Sequence, residues 1–387
     1  MAPYGEFWRQ MKSIFVLQLL SNQRVQSFHI VREEETALQM KKIEESASSS
    51  SALNLSEIFT LLTNDMVCRA AVWRKYSGEE SGKKFMLLLK NFVGLLGSID
   101  VGDFIPWLTW INHVTGFYAK LDRVANEIDE FLEQVVEERT NALKRKSDGD
   151  ERVEDEGRED FLDILLRIHT DNTAVDRDCI KALILDTFSA GTDNTATVLE
   201  WAMTELLRHP IVMNKVQYEV GEILKGKPQI TADDLEEMNY LKAVIKETVR
   251  LHPPIPLIVR EASEDVRVMG YDIEARTMVM INAWAIGKDP VSWVEPEEFQ
   301  PERFMNSSID FRGHDFELTP FGAGRRGCPG TSFAMVTNEF VLANLMHKFN
   351  WALPDGAKRE HLDMTECPGV TIRRRIPLLA VATPCHC

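Results

Sequence analysis

The stretch FGAGRRGCPG, residues 321–330, decides how the rest of this sequence is interpreted. Its glycines let a backbone loop approach a flat ligand closely and adopt conformations that bulkier residues resist. A helical pattern begins near Thr331, so Cys328 stands just before a helix N-terminus. Free N–H groups and the positive end of the helix dipole favour a thiolate there, and a thiolate is the form that binds iron. A buried structural cysteine is the alternative, and for an isolated cysteine it would be the better interpretation.

Length and composition bound the possibilities. The chain has 387 residues, 44% of them hydrophobic and 27% charged, which is ordinary for a globular protein. No Gly/Ser-rich or Pro-rich linker and no internal repeat divides it, so we expect residues 1–387 to form a single domain. A formal net charge of -16 argues against nucleic acid as a partner. The six cysteines show no CxxC pair, which argues against a zinc ribbon and fits a reducing compartment.

Helical periodicity dominates the sequence. Apolar residues recur at helical spacing in the stretches 7–20, 53–72, 83–96, 116–146, 160–169, 176–209, 212–224, 235–251 and 332–348. Short β-like runs with turn signals between Pro256 and Ile281 predict a small sheet. Two polar stretches, EESASSSS before Leu53 and KRKSDGDERVEDEGRED between Lys144 and Asp160, are predicted to be solvated loops. The predicted fold class is therefore mainly α with a small β portion (α+β).

The sequence contains no run of apolar residues that predicts a membrane span. Residues 13–20 resemble the apolar core of a signal peptide, but Gln18 interrupts them and no small-residue cleavage site follows, so we expect an amphipathic helix. The segment VGDFIPWLTWI, residues 101–111, is rich in large apolar side chains. It either exposes an apolar patch or folds inward as core.

Two helical stretches carry further polar signals. Glu247 and Arg250, in KETVRLHPP, are spaced i, i+3 and share one helix face, among apolar neighbours. Such pairs also decorate many solvated helices, so the pair alone is a weak signal for a buried network that needs a third partner. The stretch 176–209 predicts a helix of about 50 Å. In its middle AGTDNT, residues 190–195, is a poor helix sequence and predicts a local bulge or groove.

Five positions of the glycine-rich loop match the haem-binding signature FxxGxRxCxG: Phe321, Gly324, Arg326, Cys328 and Gly330. On these residues the chain resembles the cytochrome P450 superfamily. The resemblance implies the cytochrome P450 fold and a haem b cofactor (iron protoporphyrin IX). It also implies that Cys328 is the axial iron ligand, that Phe321 packs over the sulfur and that Arg326 meets a haem propionate. Gly330 belongs to the same cofactor-binding loop.

The resemblance extends to the long helix. AGTDNT is similar to the family's oxygen-binding motif, in which a groove holds dioxygen and an acid–alcohol pair relays protons. This implies catalytic roles for Asp193, Asn194 and Thr195. Asn194 departs from the pattern, because the family usually has Thr after the acid and an amide does not relay a proton as a hydroxyl does. Two interpretations stay open: water replaces the missing hydroxyl, or the type of reaction has changed.

Other matches follow in the family's order. FQPERF resembles the family's PERF element and supplies Arg303, which would join Glu247 and Arg250 in a structural network that holds the cysteine loop in register. APYGEFWRQMKS resembles the helix that carries WRxxR or WRxxK. The further residues implied to bind the haem are Trp8, Arg9, Lys12 and Arg260. The residues implied to line the substrate pocket are Ala190, Leu257, Ile258, Val259, Gly369 and Val370.

Phrases such as VLEWAMTELLRHP and IPLLAVATP are similar to the plant A-type group, family 71. The resemblance implies a monooxygenase that hydroxylates a small lipophilic terpenoid, phenylpropanoid, coumarin or alkaloid with O2 and NADPH-derived electrons. It implies NADPH-cytochrome P450 reductase as the partner, and the cytosolic face of the endoplasmic reticulum membrane as the location, with residues 101–111 in peripheral contact. Family members begin with a membrane anchor, first helices and part of the main sheet. None of these precedes Met1, so we expect an N-terminally truncated chain of reduced stability.

Two competing functions stay open on the sequence. Asn194 suits a haem-thiolate dehydratase or isomerase that needs no external electrons, and turnover without NADPH would favour it. A non-catalytic truncated remnant is the other, and a purified chain without a haem band would favour that. The substrate, the position attacked on it and the oligomeric state are not determined by the sequence.

Overall fold

The computed structural model describes residues 3–47, 51–76, 80–98, 100–147, 159–171 and 175–385. Helices make up most of this part of the chain, and the predicted fold class is confirmed. The helices are α1 Glu6–Ser13, α2 Asn22–Ser27, α3 His29–Ala47, α4 Leu55–Val72, α5 Glu80–Leu96, α6 Val101–Phe104, α7 Trp110–Val114, α8 Phe117–Ser147, α9 Phe161–Asp171, α10 Arg177–Arg208, α11 Pro210–Leu224, α12 Ala232–Glu237, α13 Asn239–Leu251, α14 Ala283–Gly287 and α15 Thr331–Lys348. Residues 14–19 continue α1 in wider π-helical turns.

The strands are short. They are β1 Leu53–Asn54, β2 Leu257–Glu261, β3 Val266–Val268, β4 Tyr271–Ile273, β5 Met278–Asn282, β6 Phe349–Ala352, β7 Glu366–Cys367, β8 Arg373–Arg374 and β9 Leu379–Pro384. One sheet has the order β1-β9-β6, and the pairs β2-β5, β3-β4 and β7-β8 are separate and antiparallel. Met269 and Gly270, with φ of 50° and 88°, make the β3-β4 turn, since two positive φ values match the twist of a tight hairpin.

The nine predicted helical stretches agree with the structure within a few residues, with one exception, and five further helices of the described residues, α2, α3, α6, α7 and α14, were not predicted. The predicted helix 235–251 is divided at Met238, whose backbone leaves the helical region and separates α12 from α13. Helix α3 was not predicted, and it extends to Ala47, so the predicted loop EESASSSS was wrong for its first four residues. The second predicted loop was wrong for residues 144–147, which belong to α8, and residues 148–158 lie outside the described part of the chain.

The described residues group by their contacts into two compact units. The first comprises residues 1–37 and 60–193 and the second residues 38–59 and 194–387. An aromatic cluster forms part of the first core: Phe85 stacks on Phe131 at 4.5 Å between ring centroids and meets Tyr76 at 4.8 Å and Phe188 at 5.2 Å. The expectation of a single domain stays a prediction.

The second unit has its core around α13 and α15. Every residue of α13 from Val244 to Leu251 except Lys246 is buried. Helix α11 begins at Pro210, a position where the absent N–H of proline costs nothing. In the described part of the chain, no helix is both long and apolar enough to cross a bilayer.

Candidate active site

The cysteine loop is fixed by its own backbone. The N–H of Cys328 donates to the carbonyl of Phe321 at 2.9 Å, and the N–H of Gly330 donates to the Cys328 sulfur at 3.3 Å. Helix α15 begins one residue later, at Thr331, whose hydroxyl donates to the Cys328 carbonyl at 3.1 Å. Cys328 itself is exposed. A loop held in this way presents an accessible sulfur beside an N–H donor, which favours negative charge on the sulfur.

Two glycines of the loop have conformations that side chains resist. Gly322 and Gly324 have φ of 68° and 67°, values at which a Cβ is strained. A Cβ on Gly322 would also lie 3.0 Å from Nη2 of Arg260 and 3.8 Å from Cδ1 of Ile258. Glycine at position 322 therefore allows strand β2 to approach the loop.

Arg260 contacts the backbone of Arg326 at this approach. Nη2 of Arg260 donates to the carbonyl of Arg326 at 3.4 Å. Burial lowers the pKa of Arg260, and the positive charge of Arg326 lowers it further. A carboxylate placed between these side chains would offset both effects. The pair therefore suits an anionic ligand next to Cys328.

The structure brings Glu247, Arg250 and Arg303 together. Glu247 is fully buried and accepts hydrogen bonds from Nε of Arg250 at 2.6 Å, Nη2 of Arg250 at 2.7 Å and Nε of Arg303 at 3.0 Å. The N–H of Gln300 adds a fourth bond, at 2.8 Å. The remaining guanidinium N–H groups donate to carbonyls of the 287–298 segment. Each buried charge in the network has partners, which is the condition for tolerating it.

Trp293 connects this network to the cysteine loop. Its ring lies 5.2 Å from the guanidinium carbon of Arg250 and 5.8 Å from that of Arg303. It packs with Phe304 in a buried cluster, against which Phe311 also packs. The ring of Phe311 meets that of Phe321 at 5.6 Å. The chain of contacts runs from the buried charges to the residue whose carbonyl accepts from Cys328.

The AGTDNT motif lies within α10, as predicted. Helical hydrogen bonding continues through it, so the bulge expected from its sequence is absent. Asp193 and Thr195 are buried, at 8% and 2% exposure. Asn194 is the only residue from Thr192 to Leu207 that is not buried, and Ala190, one turn earlier on the same face, is exposed. This face of the helix is open at the motif.

Helix α4 packs closely against the start of the motif. The hydroxyl of Thr63 donates to the carbonyl of Thr192 at 3.0 Å. A Cβ added to Gly191 would lie 2.9 Å from Cγ2 of Val67. The absence of a side chain at Gly191 therefore allows α4 to pack closely against α10, in addition to leaving room at the motif.

The other predicted cofactor residues lie on α1. Trp8 and Lys12 are one turn apart and share a face of α1, where both are partly buried. The ring of Trp8 meets Tyr4 at 5.3 Å. Arg9 is exposed, at the next position round the helix. Trp8 and Lys12 thus form a pair, while Arg9 projects in a different direction.

The predicted pocket residues separate into groups. On β2, Ile258 is buried and faces the cysteine loop, whereas Leu257 and Val259 are each 46% exposed, because successive side chains alternate across a strand. Gly369 is exposed and Val370 half-buried in the turn before β8. Only Ile258 is therefore brought next to Cys328's loop by an observed contact.

Two residues of this region were missed by sequence reasoning. Thr371 donates its hydroxyl to Oδ1 of Asn194 at 2.9 Å, and Trp293 lies against both arginines of the network. Neither stands in a motif, and no local signal in the sequence points to either partner.

The residues present fit a haem. An accessible sulfur with a backbone donor suits an iron ligand, glycines keep the loop narrow, and the positive charges of Arg260 and Arg326 suit propionates. When bound, the haem supplies the oxygen-activating chemistry and the protein positions and protects it.

Comparison with known proteins agrees. The family model for Cytochrome P450 matches residues 1–378. Cytochrome P450 71A8 of Mentha piperita is 60% identical over 385 residues, which are 98% of this chain and 74% of that protein. Norfluorocurarine oxidase of Strychnos sp is 48% identical over 383 residues, 98% of this chain and 75% of that protein. A zebra fish cytochrome P450 solved with progesterone has the same fold, with a TM-score of 0.81 at 22% identity over 99% of this chain and 84% of its own. The chain therefore belongs to the cytochrome P450 family and is a haem monooxygenase of the plant family 71 type.

Proposed function

We propose that this monooxygenase hydroxylates a small lipophilic plant secondary metabolite, of the terpenoid, phenylpropanoid, coumarin or alkaloid class. The observation that carries the proposal is the exposed Cys328 sulfur in a fixed glycine loop, beside the apolar side chain of strand β2 that faces that loop. An apolar wall with few polar groups is typical of sites for small hydrophobic ligands. Electrons come from NADPH through NADPH-cytochrome P450 reductase, and O2 is the second substrate.

In this proposal the loop residues hold the cofactor. Cys328 binds the iron, and the N–H of Gly330 stabilises the charge on its sulfur. Phe321 packs over the sulfur. Its contact with Phe311 connects the cysteine loop to the buried charge network, which keeps the loop rigid. The guanidinium groups of Arg326 and Arg260 would bind the propionates.

The helix α1 residues Trp8 and Lys12 supply further donors to the propionates, and Arg9 adds positive charge nearby. The network of Glu247, Arg250 and Arg303 is structural.

Proton delivery is assigned to the α10 motif. Asp193 supplies protons with ordered water, and Thr195 supplies a hydroxyl. Asn194, on the open face, donates hydrogen bonds and positions water or oxygen without relaying a proton. Ala190 borders the same space on the substrate side, because it is one turn away on that face.

The substrate contacts Ile258, and it also contacts Gly369 and Val370 in the turn before β8. Leu257 and Val259, which are on the other face of β2, extend the apolar surface toward solvent.

We further propose that the chain works as a single domain, since one family model matches nearly all of it. It acts at the cytosolic face of the endoplasmic reticulum membrane, with residues 101–111 in peripheral contact. Trp107 and Trp110 are 78% and 59% exposed in that segment, and exposed tryptophans favour a membrane interface.

A reduced carbon-monoxide difference spectrum of the purified chain tests the cofactor assignment. The wild-type protein should give the band of thiolate ligation, and Cys328→Ala should lose it. Cys367→Ala is the matched control, because Cys367 is also exposed. If Cys328→Ala retains the wild-type spectrum, the proposal is wrong.

A metabolite screen with NADPH and reductase tests the substrate class. Product should form from lipophilic secondary metabolites and require NADPH. Product formed equally well without NADPH would instead support the dehydratase or isomerase chemistry suggested by Asn194.

A further inference from the structure

The turn of residues 368–372 joins β7 to β8 and carries two of the proposed pocket residues, Gly369 and Val370. The ladder that supports this turn is short, because only two residues of each strand are paired. A hairpin of two strands is marginally stable at best in water by itself. The position of the 368–372 turn therefore depends on bonds to other elements.

Two side chains of α10 supply such bonds. Trp201 is fully buried, and its indole N–H donates to the carbonyl of Ile372 at 3.2 Å. Thr204 is also fully buried, and its hydroxyl oxygen accepts from Nη1 of Arg374 at 3.2 Å. Since residues i and i+3 share a helix face, both bonds start from the same side of α10. One face of α10 thus binds the last residue of the turn and the residue of β8 two positions later.

The indole ring of Trp201 is held in one orientation. The imidazole ring of His252 lies parallel to it, with the two ring centroids 4.0 Å apart. Nε2 of His252 is in turn 2.8 Å from a carboxylate oxygen of Glu205, whose side chain is 2% exposed. A ring stacked on a fixed neighbour in a close-packed core keeps one rotamer. The N–H of Trp201 is therefore directed at the Ile372 carbonyl before any ligand binds.

The hydroxyl group of Thr204 acts both as a donor and as an acceptor. It donates its hydrogen to the carbonyl of Glu200 at 2.7 Å, one turn earlier in α10. A lone pair of the same oxygen accepts from Arg374, which is 6% exposed. A buried guanidinium group is tolerated only where its N–H groups have acceptors. Thr204 therefore fixes the position of the β8 residue that follows the turn.

Two further bonds act on the same turn. The N–H of Ile372 donates to the carbonyl of Pro254 at 2.8 Å, and the hydroxyl of Thr371 donates to Oδ1 of Asn194 at 2.9 Å. With these bonds retained, loss of the Trp201 N–H would loosen the turn without unfolding the hairpin. They do not compensate the loss, because the carbonyl of Ile372 would be left without its donor.

We propose that Trp201 and Thr204 are positioning residues, which hold the 368–372 turn against α10 and so determine where Gly369 and Val370 contact a bulky apolar ligand. The inference rests on the proposed function, because it takes these two turn residues as part of the substrate pocket. Trp201 and Thr204 themselves do not contact the ligand. Ligands that reach the turn are sensitive to its position, whereas ligands too small to reach it are not.

Amide hydrogen exchange of residues 369–374, followed by mass spectrometry on the haem-loaded full chain, measures the anchoring without turnover. Trp201→Phe keeps an aromatic ring beside His252 and removes the N–H donor. We expect exchange in this segment to be about fivefold faster, the ratio that the loss of one net hydrogen bond gives. Thr204→Val should change the exchange in the same direction, and Thr204→Ser, which retains the hydroxyl, should exchange as the wild type does.

Trp351→Phe is the matched control. Trp351 lies in the same compact unit, is 8% exposed and donates its indole N–H to the carbonyl of Leu345 at 3.1 Å. The variant therefore loses the same kind of bond, made to α15 instead of the 368–372 turn. Exchange of residues 369–374 should stay as in the wild type.

Two imidazole ligands of different size test the effect on the pocket. Imidazole and clotrimazole, which carries three aromatic rings on its imidazole, both bind haem iron through nitrogen and change the absorption spectrum, so their dissociation constants are measured without turnover. In Trp201→Phe the dissociation constant of clotrimazole should rise by up to about fivefold, because the ligand then has to hold the turn in place itself. That of imidazole should not change, and Trp351→Phe should bind both ligands as the wild type does.

Unchanged exchange of residues 369–374 in Trp201→Phe and Thr204→Val would overturn the inference. So would an equal increase in Trp351→Phe. Faster exchange without a change in the ratio of the two dissociation constants would also overturn it, since the turn would then not contact the ligand. If Trp201→Phe does not retain haem, Thr204→Val and Thr204→Ser replace it with the same outcomes. A wild-type chain without the thiolate spectrum would instead refute the proposed function.

Discussion

Substitution of Glu247 tests whether the buried charge network supports the cysteine loop. The side chains of Glu247 and Arg250 are both fully buried, and Glu247 accepts from both arginines of the network. In Glu247→Ala, Arg250 would keep its bonds to carbonyls but lose the buried counter-charge that Glu247 supplies. Breaking a buried pair in this way costs about 3–5 kcal/mol, against a typical total stability of about 5–15 kcal/mol. We expect Glu247→Ala to be close to unfolded and Glu247→Gln to lose most of the same free energy.

The measurement is urea unfolding followed by circular dichroism, with haem content determined on the same samples. Glu302→Gln is the control, since Glu302 is 47% exposed and pairs with Lys215 on the surface. Its cost should be below about 1 kcal/mol. Because the network reaches the loop through Trp293, haem content should fall with stability in Glu247→Gln and not in Glu302→Gln. If Glu247→Gln is within about 1 kcal/mol of the wild type and keeps its haem, the network does not have the role assigned to it.

Three further substitutions probe other parts of the molecule. Burial, with the negative charge of a neighbouring carboxylate, raises the pKa of Asp160 to about 7 from 3.8. Between these two pKa values the folded state therefore holds one proton more than the unfolded state, so the free energy of unfolding falls as pH rises. Asp160→Asn should remove this fall, which urea unfolding at pH 5 and pH 8 would measure. Although burial opposes it, hydrogen bonds from His209 and His252 lower the pKa of Glu205 to about 2 from 4.5. Its contribution is thus present above pH 4.5 and lost toward pH 2, and Glu205→Gln should unfold at lower urea concentration at pH 7 while losing less on acidification. Gly191→Ala should cost about 1–3 kcal/mol by crowding Val67, and the added Val67→Ala should recover part of the loss in urea unfolding.

Each of these has a result that would contradict it. An unchanged pH dependence in Asp160→Asn would show that the raised pKa does not affect stability. If Glu205→Gln loses as much stability on acidification as the wild type does, the lowered pKa of Glu205 does not affect stability. For the packing prediction, equal losses with and without Val67→Ala would place the strain of Gly191→Ala elsewhere. Oδ1 of Asp160 accepts from the N–H of Asp163 at the start of α9, at 2.8 Å, and the Asp160→Asn variant keeps this bond because Asn is itself a good N-cap.

Helix α3 shows why apolar periodicity misses some helices. Its buried face includes Arg32, Glu35, Thr36 and Gln39, which are all at most 8% exposed. Glu35 is tolerated there because Arg69 and Lys75 both pair with it, the latter at 2.7 Å. Polar residues at core positions hide the pattern on which the prediction depends. The partners of Glu35 lie more than thirty residues away and are not visible in the local sequence.

The C-terminal strands were missed for a related reason. Strand β9 pairs with β1, where Leu53 faces Ala380, and with β6 on its other side. Each segment is short and finds its hydrogen bonds only in a distant part of the chain. The β2–β5 region was predicted because its turns and alternating runs are close together in sequence.

The sequence by itself determined the cysteine loop, the helix that follows it, the long helix with its polar motif and the charged pair on α13. These depend on local backbone freedom, capping and spacing within a few residues, and such properties are carried by the sequence directly. Only the tertiary structure decided that Trp293 lies against both arginines, that Ile258 rather than its neighbours faces the loop, and that Thr371 holds Asn194. Those relations join residues far apart in the chain, and their energies arise only when folding brings the partners together.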